Sequence, residues 1–187
     1  LSNVENDLDF TNWKPPPEPP PTPQAKPGEP LRRIITTKRE FADALDELVG
    51  KTSRTLQIFD PDLTAYGMNS IAREQQLREF LGKRRTNRLR IVVHDIDPIT
   101  QRMPRLMNLL RVYGHAIAIH QTQEEIRNLQ DVLVVGDDAH CLRRPHASQS
   151  RGAVYLDDAA ETRAWLSRFN AIWEHSTPAV SATTVGL

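Results

Sequence analysis

After Thr37 the apolar residues Phe41, Ala44, Leu45 and Leu48 recur at helical spacing, and Thr37 stands three residues before Glu40, the pattern of a capping box. A helix is predicted there, ending near Gly50. Thr55 to Phe59 reads as a short buried strand stopped by Asp60-Pro61, because the residue before proline leaves the helical region and aspartate favours turns. Ile71, Leu77, Phe80 and Leu81 space out a second helix that gives way in the charged stretch 83–87. Leu89, Ile91, Val92 and Val93 form a second strand, and Pro98 reopens the chain. Leu106, Leu109, Leu110 and Tyr113 mark a third helix, Ala116 to His120 a third strand, and Gln123 to Asn128 a brief helical turn. Asp131 to Val135 and His140 to Arg144 flank Gly136-Asp137-Asp138 as a hairpin, Ala153 to Leu156 adds a strand, and Ala160 to Trp173 closes the domain. On that last helix Trp165, Phe169 and Trp173 share one face, for core packing or for association.

Strands alternating with helices in the first half imply right-handed crossovers and a parallel sheet, to which the hairpin adds antiparallel neighbours. The expected fold is α/β: a three-layer α/β/α sandwich over residues 31–178 with a mixed, mostly parallel sheet. Nine of the 14 prolines lie between Pro15 and Pro30, where a missing donor and a fixed φ exclude helix and inner strand. Residues 1–30 therefore read as a disordered acidic and Pro-rich tail and linker, and residues 179–187 as a flexible tail. A chain beginning at Leu1 is expected to be a processed product or a piece of a longer polypeptide.

Lys+Arg 24 against Asp+Glu 24 gives no net field toward nucleic acid or an acidic membrane. The single cysteine, Cys141, cannot form an internal disulfide, which suits a reducing compartment. Apolar runs such as Val132 to Val135 are too short to span a bilayer, and the acidic N-terminus is unlike a secretory signal, so a cytoplasmic protein without membrane attachment is expected.

The sharpest candidate chemistry lies at strand ends. Asp60 and Asp62 follow the first strand, His94, Asp95 and Asp97 the second, and His120 ends the third. If those strands are parallel, all three ends share the edge where open α/β sheets bind ligands. Arg102 and Arg105 open the third helix near that edge, either paired with Asp60 or Asp95 or completing a pocket for an anion. Arg143, Arg144, His146 and Arg151 form a second positive group. The ligand-binding set is thus Asp60, His94, Asp95, Arg102, Arg105, His120 and Arg144, with turn capping and internal ion pairs as the competing reading. A metal-assisted hydrolase using Asp60, His94 and Asp95 is a second reading, although no spacing identifies a metal or a cofactor. A third is a nucleic-acid-contacting module using Lys83, Arg84, Arg85, Arg88 and Arg90. It is disfavoured because the run sits at a helix C-terminus and has no interleaved aromatics. Cys141 lacks a catalytic setting, and no Gly-rich phosphate loop occurs.

From Leu56 to Ser176 the succession of elements resembles one half of the phospholipase D-like superfamily, on Leu56-Gln-Ile-Phe-Asp60, Leu89-Arg-Ile-Val-Val93, the Gln130 to Leu142 hairpin and Phe169-Asn-Ala-Ile-Trp173. Phe59-Asp-Pro-Asp-Leu63, Pro104-Arg-Leu-Met107 and Arg143-Arg-Pro145 resemble an uncharacterised bacterial family of such domains, often found behind an acetyltransferase module. The superfamily's enzymes use His-x-Lys followed by Asp; this chain has Gln130, Val132 and Asp137 at those positions. An amide is no substitute for the attacking imidazole, and an aliphatic side chain cannot steady a phosphoryl charge. The resemblance therefore implies a non-catalytic domain that binds a small anionic ligand or a partner protein, with an acetyltransferase as partner or fused module and pairing into a homodimer.

Overall fold

The computed structural model describes residues 29–180. The acidic segment, all of the proline tract up to Gly28 and the chain from Ser181 onward lie outside the described residues. Eight strands form one sheet: β1 (Leu31–Ile35), β2 (Thr55–Phe59), β3 (Arg88–Val93), β4 (Ile117–Thr122), β5 (Val132–Gly136), β6 (His140–Arg144), β7 (Gly152–Leu156) and β8 (Ser176–Val180). Their spatial order is β1-β7-β6-β5-β2-β3-β4-β8. Five helices cover it: α1 (Lys38–Lys51), α2 (Ile71–Lys83), α3 (Asp97–Arg102), α4 (Pro104–Val112) and α5 (Ala159–Glu174).

The mixed α/β sandwich is as the sequence predicts, but the balance of ladders is not. Only β2 with β3 and β3 with β4 are parallel, and the remaining ladders are antiparallel. The departure comes from β5, β6 and β7, whose three ladders are antiparallel, and from the edges, where two strands escape sequence reading. In β1 two arginines interrupt the apolar pattern, and the strand is tolerable only because it pairs on one side, with β7. In β8, Pro178 signals a break in an inner strand but is permitted at an edge. Ala179 and Val180, read from sequence as the start of a tail, complete β8. Pro98 likewise starts a helix instead of reopening the chain: it occupies the first turn of α3, where its missing donor costs nothing.

The two faces of the sheet are covered unequally. On one, Leu56, Ile58, Leu89, Ile91 and Val134 pack against Leu45 and Leu48 of α1, Leu77 of α2 and Leu106 of α4. On the other, Phe59, Val92, Leu133, Val135 and Tyr155 meet Phe169 and Ile172 of α5 alone. Period-2 alternation divides each strand between these faces. Thr37 caps α1 as predicted, accepting from the Glu40 main-chain N–H at 3.1 Å while the Glu40 carboxylate accepts from that of Thr37 at 3.1 Å.

Candidate anion-binding site

The parallel strands β2, β3 and β4 end at one edge, and the antiparallel register brings the start of β5 and the end of β6 to it: Phe59 lies opposite Leu133, and Val132 opposite Arg144. This is the edge expected for ligand binding, and the predicted residues divide there.

Asp60 is 2% exposed and accepts from the main-chain N–H groups of Asp62 at 3.0 Å and Leu63 at 2.7 Å, holding a turn in which Leu63 takes a left-handed φ of 61°. Burial pushes its carboxyl above the ordinary aspartate value; those two N–H groups act against burial without cancelling it. Tyr66 lies close enough to Asp60 and Arg144 for both charges to act on it. Burial holds the phenol in its protonated form, and its hydroxyl makes no hydrogen bond.

Arg144 is 4% exposed. Its guanidinium carbon lies 4.0 Å from the centroid of the Phe41 ring, and its Nη1 reaches the Ala147 and Gln149 carbonyls only at 3.5 and 3.4 Å. The Nε and Nη2 atoms are buried with no hydrogen-bond partner. Arg143, its neighbour on β6, points to the opposite face, with its guanidinium carbon 4.4 Å from the Trp165 ring centroid and its Nε also buried and unpartnered. Unpaired buried donors are costly, so this pair of arginines stands out as a place where acceptor oxygens would be welcome.

Both arginines line a cleft of about 440 Å3 with Gln130, Val132, Trp165 and Arg168. Its one carboxylate, Asp131, is held by Arg168 through bonds of 2.6 and 2.8 Å, which neutralise it and raise the Arg168 pKa. The cleft is therefore cationic on balance, and its size suits a small molecule.

His94 is at the edge but engaged in the fold. Its Nε2 lies 2.6 Å from the Leu129 carbonyl and its Nδ1 2.7 Å from Thr122 Oγ1. A carbonyl only accepts, so Nε2 carries a proton, and in the neutral ring Nδ1 accepts from the hydroxyl. His94 thus ties the end of β3 to β4 and to the segment entering β5.

The remaining predicted residues are not gathered. Asp95 is exposed and accepts from the Asp97 main chain at 3.0 Å. Arg102 is exposed, and Arg105 pairs with Glu74 of α2 at 2.9 Å instead of with Asp60 or Asp95. His120 does not end its strand, which runs on to Thr122; its ring faces α5, stacked on Trp173 at 3.7 Å, and burial lowers its pKa. Among the described residues no three His, Cys, Asp or Glu side chains come together to hold a metal, so Asp60, His94 and Asp95 do not form the cation site of the hydrolase reading.

Sequence reasoning missed Tyr66 beside Arg144, and Gln130, Asp131, Trp165 and Arg168 as lining of the cleft. Gln130 alone had a signal, its place in the His-x-Lys position. Asp137, the position at which this chain keeps the signature residue, sits at the other end of β5.

Sheet order, layers and the strand-end cleft define the class as a phospholipase D-like α/β fold. Structures that share it include Nuc from Salmonella typhimurium, a phospholipase D family member (TM-score 0.60, 12% identity, 82% of this chain and 100% of that one). The phosphatidylserine synthase of Haemophilus influenzae Rd KW20 matches with a TM-score of 0.52 and 15% identity over 84% of this chain and 41% of that one. TrmBL2, an archaeal chromatin protein whose structure shows a novel mode of DNA binding, matches at 0.61 and 9% identity over 83% of this chain, which spans 56% of its length. Within that class the chain belongs to the family described as Domain of unknown function (DUF7931), which matches residues 37–183. No curated protein matches the chain.

Proposed function

We propose that this domain is a non-catalytic member of the phospholipase D-like fold that binds a small anionic ligand in the cleft between β5, β6 and α5. One observation carries the reading: where the superfamily's enzymes place histidine and lysine, Gln130 and Val132 line a cleft that also holds Arg143, whose buried Nε lacks an acceptor. An anion there would meet the Arg143 guanidinium and no free carboxylate, since Asp131 is engaged by Arg168. The groups that would make such binding chemically productive are missing, which supports a sensing or regulatory role. The family resemblance suggests an acetyltransferase, tethered through the Pro-rich segment, as the protein regulated, and pairing of two such halves as the assembly.

The test is thermal melting of the full chain with inorganic phosphate, pyrophosphate, nucleotides, sugar phosphates and acyl-CoA. A ligand at a hundred times its Kd stabilises by about 2.7 kcal/mol, which in a chain of this size is a rise of roughly 5–10 °C. The shift is expected to disappear in Arg143→Gln. Indifference to every anion, or phosphodiester turnover through a trapped phosphohistidine, would overturn the reading.

A further inference from the structure

Between Glu79 and Asp95 the chain has no carboxylate and five cations, Lys83, Arg84, Arg85, Arg88 and Arg90, in a protein of zero formal net charge. All five are exposed, on the turn that leaves α2 and on β3. Arg111, in the last turn of α4, is exposed at the same edge of the sheet, where the chain enters β4. Within the described residues none of the six belongs to an ion pair. On the parallel strands the carboxylates lie at the opposite edge, with Asp60 and Asp62 after β2, Asp95 and Asp97 after β3, and Glu124 and Glu125 after β4; Asp137 and Asp138 of the β5–β6 turn and Asp157 and Asp158 after β7 share the edge of the basic run, on the far side of β2. On β2, β3 and β4 charge is thus separated along the strand direction.

Compensation of helix dipoles accounts for Lys83 and Arg111, each in the final turn of its helix. It does not account for Arg84 and Arg85, which lie past the helix, or for Arg88 and Arg90, which are on a strand. The run has no aromatic residue in sequence, but the fold supplies one from 83 positions away. Arg90 projects to the face on which α5 ends, and its guanidinium carbon stands 5.2 Å from the centroid of the Trp173 ring. His120 also stacks on Trp173, at 3.7 Å with the planes 21° apart. Arg90 is therefore oriented, and its exposed guanidinium plane offers a flat cationic surface of the kind on which a base stacks.

A protein partner would call for an apolar or aromatic centre depleted in charge, whereas nucleic-acid interfaces are strongly positive and polar. The surface is of the second kind. Four of the five cations in the run are arginines, whose forked donors suit phosphate oxygens. We propose that the turn 83–88 and the Arg90–Trp173–His120 stack form a sequence-independent contact site for single-stranded nucleic acid, in which Arg84, Arg85 and Arg88 meet successive phosphates and Arg90 carries a base. The site lies at the other end of the strands from the anion cleft and stands or falls separately from it.

Fluorescence anisotropy of a labelled 20-nucleotide single-stranded DNA of mixed sequence, titrated with the full chain between 50 and 300 mM salt, tests the proposal. Three phosphate contacts predict a slope of log K against log[salt] of about −2. Arg84→Gln/Arg85→Gln/Arg90→Gln should weaken binding at least tenfold and flatten the slope by about 1.4, while Arg143→Gln in the cleft leaves both unchanged. Arg85→Glu alone, on the exposed turn, serves the same purpose if the triple variant melts early. Absence of binding at 50 mM salt, affinity within twofold of the parent in these variants, or loss confined to Arg143→Gln would overturn the proposal. So would equal competition by polyglutamate, which would point to an acidic protein.

Discussion

The Asp137 carboxylate accepts the main-chain N–H of Arg54 at 2.8 Å, and the same two oxygens take the N–H groups of Ser53 at 3.0 Å and Thr55 at 2.9 Å and the Ser53 hydroxyl at 3.0 Å. Asp137 itself adopts a left-handed φ of 51° at the β5–β6 turn, so its side chain clamps that turn to the start of β2. Asp137 thus does structural work, at the opposite end of β5 from the cleft.

Asp137→Ala is expected to cost about 2–4 kcal/mol, because it strands three main-chain donors and removes the short polar side chain that lets an aspartate hold a left-handed conformation. Asp137→Asn should cost less, since asparagine tolerates that φ and keeps one acceptor. Urea midpoints check the order. The pH dependence has a definite sign. Burial works to raise the Asp137 pKa, but the N–H groups of Thr55, Ser53 and Arg54 outweigh it and hold the folded value below the ordinary 3.8. As the pH falls the unfolded chain takes the proton first, so the contribution is complete above the unfolded value and is lost as the pH drops through the folded one. The acid branch of the stability curve should therefore be steeper in the parent than in Asp137→Asn.

His94 makes a second prediction. With Nε2 bound to the Leu129 carbonyl and Nδ1 to Thr122, His94→Phe preserves the edge contact with Phe59 but leaves both partners unpaired. A loss of about 1–3 kcal/mol is expected. Faster amide exchange should be confined to the segment from Leu129 to Val132, beside the cleft. Uniformly faster exchange would show that His94 supports the whole sheet instead.

The inner elements were legible because each obeys one period. Thr37 with Glu40 announces α1, and the apolar runs of β2, β3 and β5 can only be buried strands. The edge strands were illegible because an edge tolerates what a sheet centre forbids: Arg32 and Arg33 in β1, Pro178 in β8. Of the site, the strand-end position of Asp60 and His94 and the positive character of Arg144 could be read. The occupation of His94 could not, since Leu129 lies 35 positions away, nor could the pairing of Asp131 with Arg168, 37 positions apart on β5's approach and α5. The aromatic neighbour of the basic run could not be read for the same reason, because Trp173 comes from the far end of the chain.

Cys141 lies on β6, fully buried under α5, and burial pushes its thiol up to about 12. The thiolate is the reactive form, so the folded protein should be inert to a disulfide reagent at pH 8 and react fully once unfolded in guanidinium. The rate in the native state should follow global opening and slow as stability rises. Fast native labelling would mean that α5 lifts from the sheet.

Gly152 opens β7 opposite Ile35 of β1 and against the end of β6. A β-carbon there would meet the Arg143 carbonyl oxygen at 2.5 Å and the Arg144 Cγ at 2.9 Å. The first obstacle is backbone and cannot swing away, so Gly152→Ala must push β7 from β6 at the point where the two arginines leave the strand. A cost of about 1–3 kcal/mol is expected from overpacking of this kind. Because the shift falls on the residues that line the cleft, anion-induced stabilisation should fall by more than the loss of stability alone explains, whereas oligonucleotide binding at the α2–β3 turn should be unaffected. Melting curves of Gly152→Ala with and without phosphate, beside anisotropy titrations of the same preparation, separate the two effects.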